Sequence, residues 1–236
     1  MKQPKASEEY TLGKILLFFI PLALSASLTS VSHVIINGTL SRAEAAEVII
    51  SNYAIAFSLF SIMERPALVF RQTSSALAKG KSTFQAICSF FIKIIVSLML
   101  ICMLVAFSPL GEWIFTYLFN AEPENLSALM NTFKVLAVVI LLSGIRTLYQ
   151  GIMINHLETK WVTYGVIIRL IGMIAIALYF IHYADLLSSI AGAIIFLTGM
   201  LIECVISIWR GHRLIKTEHL DEDDEQPLTQ REIGKF

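Results

Sequence analysis

The side chains in this sequence that could do chemistry are charges set inside apolar runs. They are Glu64, Lys93, Arg146, Arg169 and Glu203, with the amides Gln150 and Asn37 as polar companions. A charge at membrane depth costs roughly 2.5–3.5 kcal/mol on insertion scales, so it faces protein or a wet cavity unless it can snorkel to an interface. Gln150 follows Arg146 by one helical turn and would share its face. Cations at Lys93, Arg146 and Arg169, set against Glu64 and Glu203, describe a polar interior weighted to one half of the membrane. Such an interior could bind an anionic or headgroup-bearing substrate. The alternative is that these groups pair with one another as structural ion pairs or reach lipid phosphates. For Glu64 and its neighbour Arg65, beside Pro66 and close to an interface, pairing is the expected outcome. Lys134 lies near a span end and can snorkel, and His33 reads as a satisfied polar residue.

Long apolar helices must position these groups. The chain has 236 residues, of which 56% are hydrophobic and 15% charged, with a mean hydropathy of +0.71. A soluble all-helical domain needs a polar face on each helix, and most segments here have none. From Ser143 to Arg169 two apolar runs flank a short polar break, His156 to Lys160. That pattern reads as a tight hairpin of membrane helices, with Arg146 on the way in and Arg169 on the way out. At 1.5 Å per residue, Arg169 lies roughly 12 Å in from Trp161.

The fold class expected is all-α and integral to a membrane. Six spans are placed near 12–37, 48–70, 84–107, 129–155, 161–181 and 186–209, between a polar tail at 1–11 and a soluble tail at 210–236. Runs of roughly 20–27 residues cross a hydrocarbon core of about 30 Å with some tilt. Pro21, inside the first span, should kink it and free backbone groups for neighbours to satisfy. The connector at 108–125 is aromatic and acidic, as suits an interface. Lys2, Lys5, Lys14, Arg71, Lys79, Lys81, Lys160, Arg210, Arg213 and Lys216 fall on one side of such a topology and Arg42 on the other. The charge rule then puts both termini in the cytoplasm of a multi-pass cell-membrane protein.

Nothing in the sequence points to an enzyme or a cofactor. It has no phosphate-binding GxxxxGK[ST], no HExxH and no GxSxG. Cys88, Cys102 and Cys204 lie in apolar runs without metal spacing and read as core thiols. Gly192 and Gly199, with Ala191, Ala193 and Ser188, read as a small-residue packing face. No nucleic-acid partner is expected. Asn37-Gly38-Thr39 and Asn125-Leu126-Ser127 match the glycosylation pattern, which is common by chance. Leu12-Gly13-Lys14-Ile15 and Ile233-Gly234-Lys235-Phe236 are similar lead-ins, and the second would open a seventh span where the sequence ends. Chance similarity is the alternative.

FFIPLALSASLTSVSHVIINGTL and, after a short connector, SNYAIAFSLFSIMERPALVF resemble the opening helix pair of the multidrug/oligosaccharidyl-lipid/polysaccharide (MOP) exporter superfamily. QGIMINHLETKWVTYGVIIRLIG resembles the joint between that superfamily's fourth and fifth helices. The nearer likeness is to the multidrug and toxic-compound extrusion (MATE) branch. Tyr53-Ala54-Ile55-Ala56-Phe57-Ser58-Leu59 and Gly151-Ile152-Met153 also resemble the progressive-ankylosis type of transporter. The resemblance implies one lobe of a twelve-helix exporter that works by alternating access without ATP hydrolysis. Its partners would be the lipid bilayer, a small-molecule or lipid-linked substrate, and a second six-helix lobe from another copy or a separate chain. The membrane acid usual in the first helix of the branch is absent, since His33 and Asn37 are the strongly polar residues there. Coupling to an ion through that helix is therefore not implied. Two other readings remain: a six-span protein that does not transport, and a truncated fragment of a longer exporter.

Overall fold

The computed structural model describes residues 12–77 and 81–217. Seven α-helices form over them: α1 (Leu12–Leu40), α2 (Ala46–Leu77), α3 (Lys81–Phe107), α4 (Pro109–Trp113), α5 (Leu126–Asn155), α6 (Thr159–His182) and α7 (Ser189–Thr217). All but the short α4 are long and apolar enough to cross a membrane. The described residues contain no strand. The fold is an all-α six-helix membrane bundle, and each expected span has its helix. Residues 1–11, the tail from 218 and the Ile233–Phe236 lead-in lie outside the described residues.

Helix ends differ from the sequence-based boundaries where polar residues continue a helix. The chain beyond Phe70 was expected to leave the membrane as a basic loop, yet α2 runs on to Leu77. Its 32 residues make it about 48 Å long, well over a hydrocarbon core of about 30 Å. Gln72, Ala76 and Leu77 are good helix formers, and Pro66 upstream removes one hydrogen bond without ending the helix. At the other end of the chain, α7 carries Arg210 and Arg213 as helical residues.

The central helix is α5. It packs against α2 on one side and α7 on the other, with α3 beside the α2–α5 pair. α6 packs on α7, and α1 leans mainly on α6. The sequence explains the ranking. α5 is buried on nearly every turn from Leu129 to Met153, while α1 and α3 turn residues such as Leu17, Phe19, Leu100 and Leu104 outward. Outward apolar side chains on such helices face lipid. Beside Pro21, α1 is tied to α6: Thr163 Oγ1 donates to the Pro21 carbonyl at 2.7 Å.

The largest apolar cluster joins Ile36 and Leu40 of α1, Tyr53 and Phe60 of α2, Leu129 to Ile140 of α5, and Phe196 and Met200 of α7. Gly192 lies against Leu40, Tyr53 and Ile36, and Gly199 lies against Met173 and Arg169, so both serve close packing. A second cluster joins Phe70 of α2, Phe91 and Ile95 of α3 and Leu148 of α5. On α5 the two clusters are separated by Ser143, Gly144, Arg146 and Thr147, all buried.

The α5–α6 hairpin closes as the sequence indicates. His156 and Glu158 donate backbone N–H groups to Ile152 and Met153 carbonyls at 3.0 and 2.8 Å. Leu157 takes the left-handed conformation there, with φ at 60°. Glu158 is salt-bridged to Arg210, whose guanidinium also lies 5.1 Å from the Trp161 ring centroid. Trp161 and Trp209 meet edge to face at 5.5 Å. The start of α6 is thereby fixed to the end of α7.

Candidate functional site

The break in the apolar core is where the candidate residues meet. Helical spacing puts Ser143, Arg146 and Gln150 of α5 on one face, at i, i+3 and i+7. Glu64 and Arg71 of α2 are also seven residues apart and face α5. α6 contributes Arg169 and α7 contributes Glu203. The side chains of Arg146, Gln150, Arg169 and Glu203 are buried, and those of Glu64 and Arg71 are half-buried.

Glu203 is the hub. Arg146 Nη1 donates to its Oε1 and Arg169 Nη1 to its Oε2, both at 2.9 Å. Gln150 Nε2 donates to Oε1 as well, at 2.8 Å. The Gln150 Oε1 accepts from Arg71. A guanidinium can only donate and a carboxylate can only accept, so these two neighbours together set the orientation of the Gln150 amide. On the other flank, Ser143 donates to Glu64, and Arg146 Nη2 reaches Ser143 Oγ at 3.5 Å. One continuous network therefore links α2, α5, α6 and α7.

Its charge does not balance. Among the described residues Arg71, Arg146 and Arg169 face Glu64 and Glu203, which leaves one positive charge in excess. Arg146 and Arg169 share a single carboxylate. Arg71 has no carboxylate in contact among the described residues, and Gln150 is its hydrogen-bond partner. The Nε atoms of all three arginines are buried and have no hydrogen-bond acceptor among the described residues. Buried N–H donors without acceptors are costly, and the cost rises in a low dielectric.

Beyond Arg169 the site becomes aromatic. Its guanidinium lies 5.4 Å from the Phe196 ring centroid. Phe196 in turn meets Phe57, Phe60 and His33. His33 packs edge-on against Phe57 at 4.9 Å, and Tyr53 stacks on Phe57 at 5.7 Å with its hydroxyl buried and without a hydrogen-bond partner among the described residues.

The structure brings together Glu64, Arg146, Gln150, Arg169 and Glu203. It places Lys93 elsewhere, exposed on α3, and Asn37 on the exposed face of α1 near the opposite end. Arg71 and Ser143 are members of the network that the sequence reading did not include. Arg71 falls just past the expected span end at Phe70, in a polar and basic run that reads as a loop, whereas α2 continues through it. Its seven-residue spacing from Glu64 was the signal for a shared helical face. Ser143 opens the hairpin stretch, but no pattern marks a serine as a hydrogen-bond partner of a distant carboxylate. Among the described residues, no three His, Cys, Asp or Glu side chains group as metal ligands.

Close approach of two backbones makes the Arg71–Gln150 contact possible. A Cβ placed on Gly151 would lie 2.5 Å from Ser74 Cβ and 2.6 Å from the Arg71 carbonyl oxygen. Gly151→Val should therefore push α2 from α5 and cost about 1–3 kcal/mol through overpacking. A lowered melting temperature of the purified protein in detergent is the expected result. An unchanged one would mean that the helices separate freely at this point.

No family model, curated protein or solved structure matches this chain.

Proposed function

We propose that the chain is one six-helix half of an alternating-access membrane transporter, whose substrate is anionic or carries an anionic headgroup. The observation that carries this reading is the uncompensated cation. A membrane-embedded ion network is expensive to desolvate, and one with excess positive charge draws an anion toward it. Among the described residues Arg71 is the cation of the network with no carboxylate in contact, since Arg146 and Arg169 are engaged by Glu203 and Arg71 by Gln150. The resemblance of the first two spans and of the α5–α6 joint to MOP exporters, MATE-like ones in particular, supports the same reading. Substrate would then pass between this bundle and a second lobe, and no ATP hydrolysis would be involved. Both termini would lie in the cytoplasm.

The test is flux through proteoliposomes containing the full chain, with labelled inorganic phosphate, a dicarboxylate and an anionic phospholipid as probes. Arg71→Ala should lower the flux of at least one probe about tenfold or more, the worth of one charge-assisted contact, while expression and melting temperature hold. Flux that is unaltered in this variant counts against the proposal.

A second reading has its own observation. Glu203 accepts three hydrogen bonds from two helices besides its own, which is also how a purely structural clamp would be built. That reading is separated from the first in the Discussion.

A further inference from the structure

At the end of the bundle opposite the Glu158–Arg210 pair, α3, α4 and the start of α5 line an open cavity of about 510 Å³. Its walls bring Glu112 of α4 and Lys134 of α5 to one space, with Ser127 and Asn131 on the α5 side. The connector is held in shape locally. Ser108 Oγ accepts from the Leu110 N–H at 3.2 Å and caps α4, and Pro109 fits its first turn. Lys134 donates to Asn131 Oδ1 at 3.1 Å and lies 5.3 Å from the Phe107 ring centroid. An ammonium has three N–H donors, so this hydrogen bond leaves two. Among the described residues neither Lys134 nor Glu112 is in an ion pair.

The cavity opens beside lipid-facing surface. Leu104, Phe107 and Leu110 are exposed next to it, and Trp113 and Tyr117 project from the same connector. Exposed Trp and Tyr at the ends of membrane helices sit at headgroup level. A positive and a negative side chain in one cavity at that level match a ligand that carries both charges. Glu122 and Glu124 add negative charge to this end of the bundle, which disfavours a purely anionic ligand.

We propose that this cavity binds the headgroup of a zwitterionic aminophospholipid. Its phosphate would sit on Lys134, with Asn131 and Ser127 beside it, and its ammonium on Glu112. The acyl chains would lie along Leu104 and Phe107. A primary ammonium can donate hydrogen bonds to the Glu112 carboxylate, which a trimethylated one cannot, so phosphatidylethanolamine should be preferred to phosphatidylcholine. This site is separate from the buried arginine network and does not depend on its role.

The experiment is lipid binding to the full chain, delipidated in detergent and read by native mass spectrometry and by melting temperature. Phosphatidylethanolamine, phosphatidylcholine, phosphatidylglycerol and water-soluble phosphoethanolamine are the probes. Wild type should prefer phosphatidylethanolamine over the other lipids about five- to tenfold, as one or two charge-assisted hydrogen bonds allow. Glu112→Gln, a change on an exposed side chain that should leave the fold intact, should erase the preference over phosphatidylcholine. Lys134→Ala should weaken both phospholipids, and Lys134→Arg should restore them. Equal binding of all lipids by wild type, or a preference untouched by Glu112→Gln and Lys134→Ala, overturns the proposal. Equal protection by soluble phosphoethanolamine without lipid overturns the lipid as its occupant.

Discussion

Glu203→Ala should be the most damaging single substitution in the chain. It removes the shared acceptor of Arg146, Arg169 and Gln150 at once. Two guanidiniums then stay buried without a carboxylate in contact, and the excess charge of the network rises by one. Removing one partner from a buried pair costs about 3–5 kcal/mol, because the remaining charge is uncompensated. Here two cations lose the same partner, so the upper end of that range is expected. Glu203→Gln should cost less, since an amide oxygen can still accept from one arginine, while its NH2 group would face a second donor. Melting temperatures in detergent, or titration with a denaturing detergent, should rank the proteins as wild type, Glu203→Gln and Glu203→Ala, from most to least stable. If Glu203→Ala melts with wild type, Arg146 and Arg169 have other acceptors within reach, with Glu64 across Ser143 the first to consider.

The membrane fold was legible because the bilayer makes strong demands on sequence. Six runs had to be long and apolar, and backbone groups with no water had to be helical. Helix ends were less legible. Nothing in composition separates a polar helix that projects from the bilayer, as at Gln72 to Leu77, from a polar loop. The same uncertainty hid Arg71. The hairpin between Asn155 and Thr159 was clear because a short polar break between two apolar runs has few solutions. Within the site, Arg146 and Gln150 could be paired from their spacing on one helix. That Arg146 and Arg169 both meet Glu203 could not be, since it depends on which faces α5, α6 and α7 present to one another. Loop lengths leave those rotations open. Lys93 shows the converse. Its place inside an apolar run grouped it with Arg146 and Arg169 as an interior cation, yet α3 sits at the side of the bundle and turns it outward.

Whether the network serves transport or only holds four helices together is decided by replacing all of it. In the triple variant Arg146→Met, Arg169→Met and Glu203→Leu, each side chain keeps roughly its bulk and loses its charge. Buried ion clusters exchanged for apolar groups of similar volume are often neutral or more stable by about 1–4 kcal/mol, because desolvation of three ions is no longer needed. The triple variant should therefore recover most of the stability that Glu203→Ala loses. Gln150 would keep its contact with Arg71 but lose the acceptor of its Nε2, which offsets part of the gain, and Ser143 would keep its contact with Glu64. Taking one carboxylate and two cations away together removes the excess charge and leaves Arg71 and Glu64 to oppose each other. If the network draws an anionic substrate into the bundle, flux in proteoliposomes should fall at least about tenfold, since each 1.4 kcal/mol of lost electrostatic attraction is a factor of ten. A triple variant that is stable and transports as wild type would make Glu203, Arg146 and Arg169 a structural clamp, and would leave Arg71 as the one network cation still to be tested on the substrate path. A variant that is stable and inactive separates the two roles, because its helices are held and only the charges are missing.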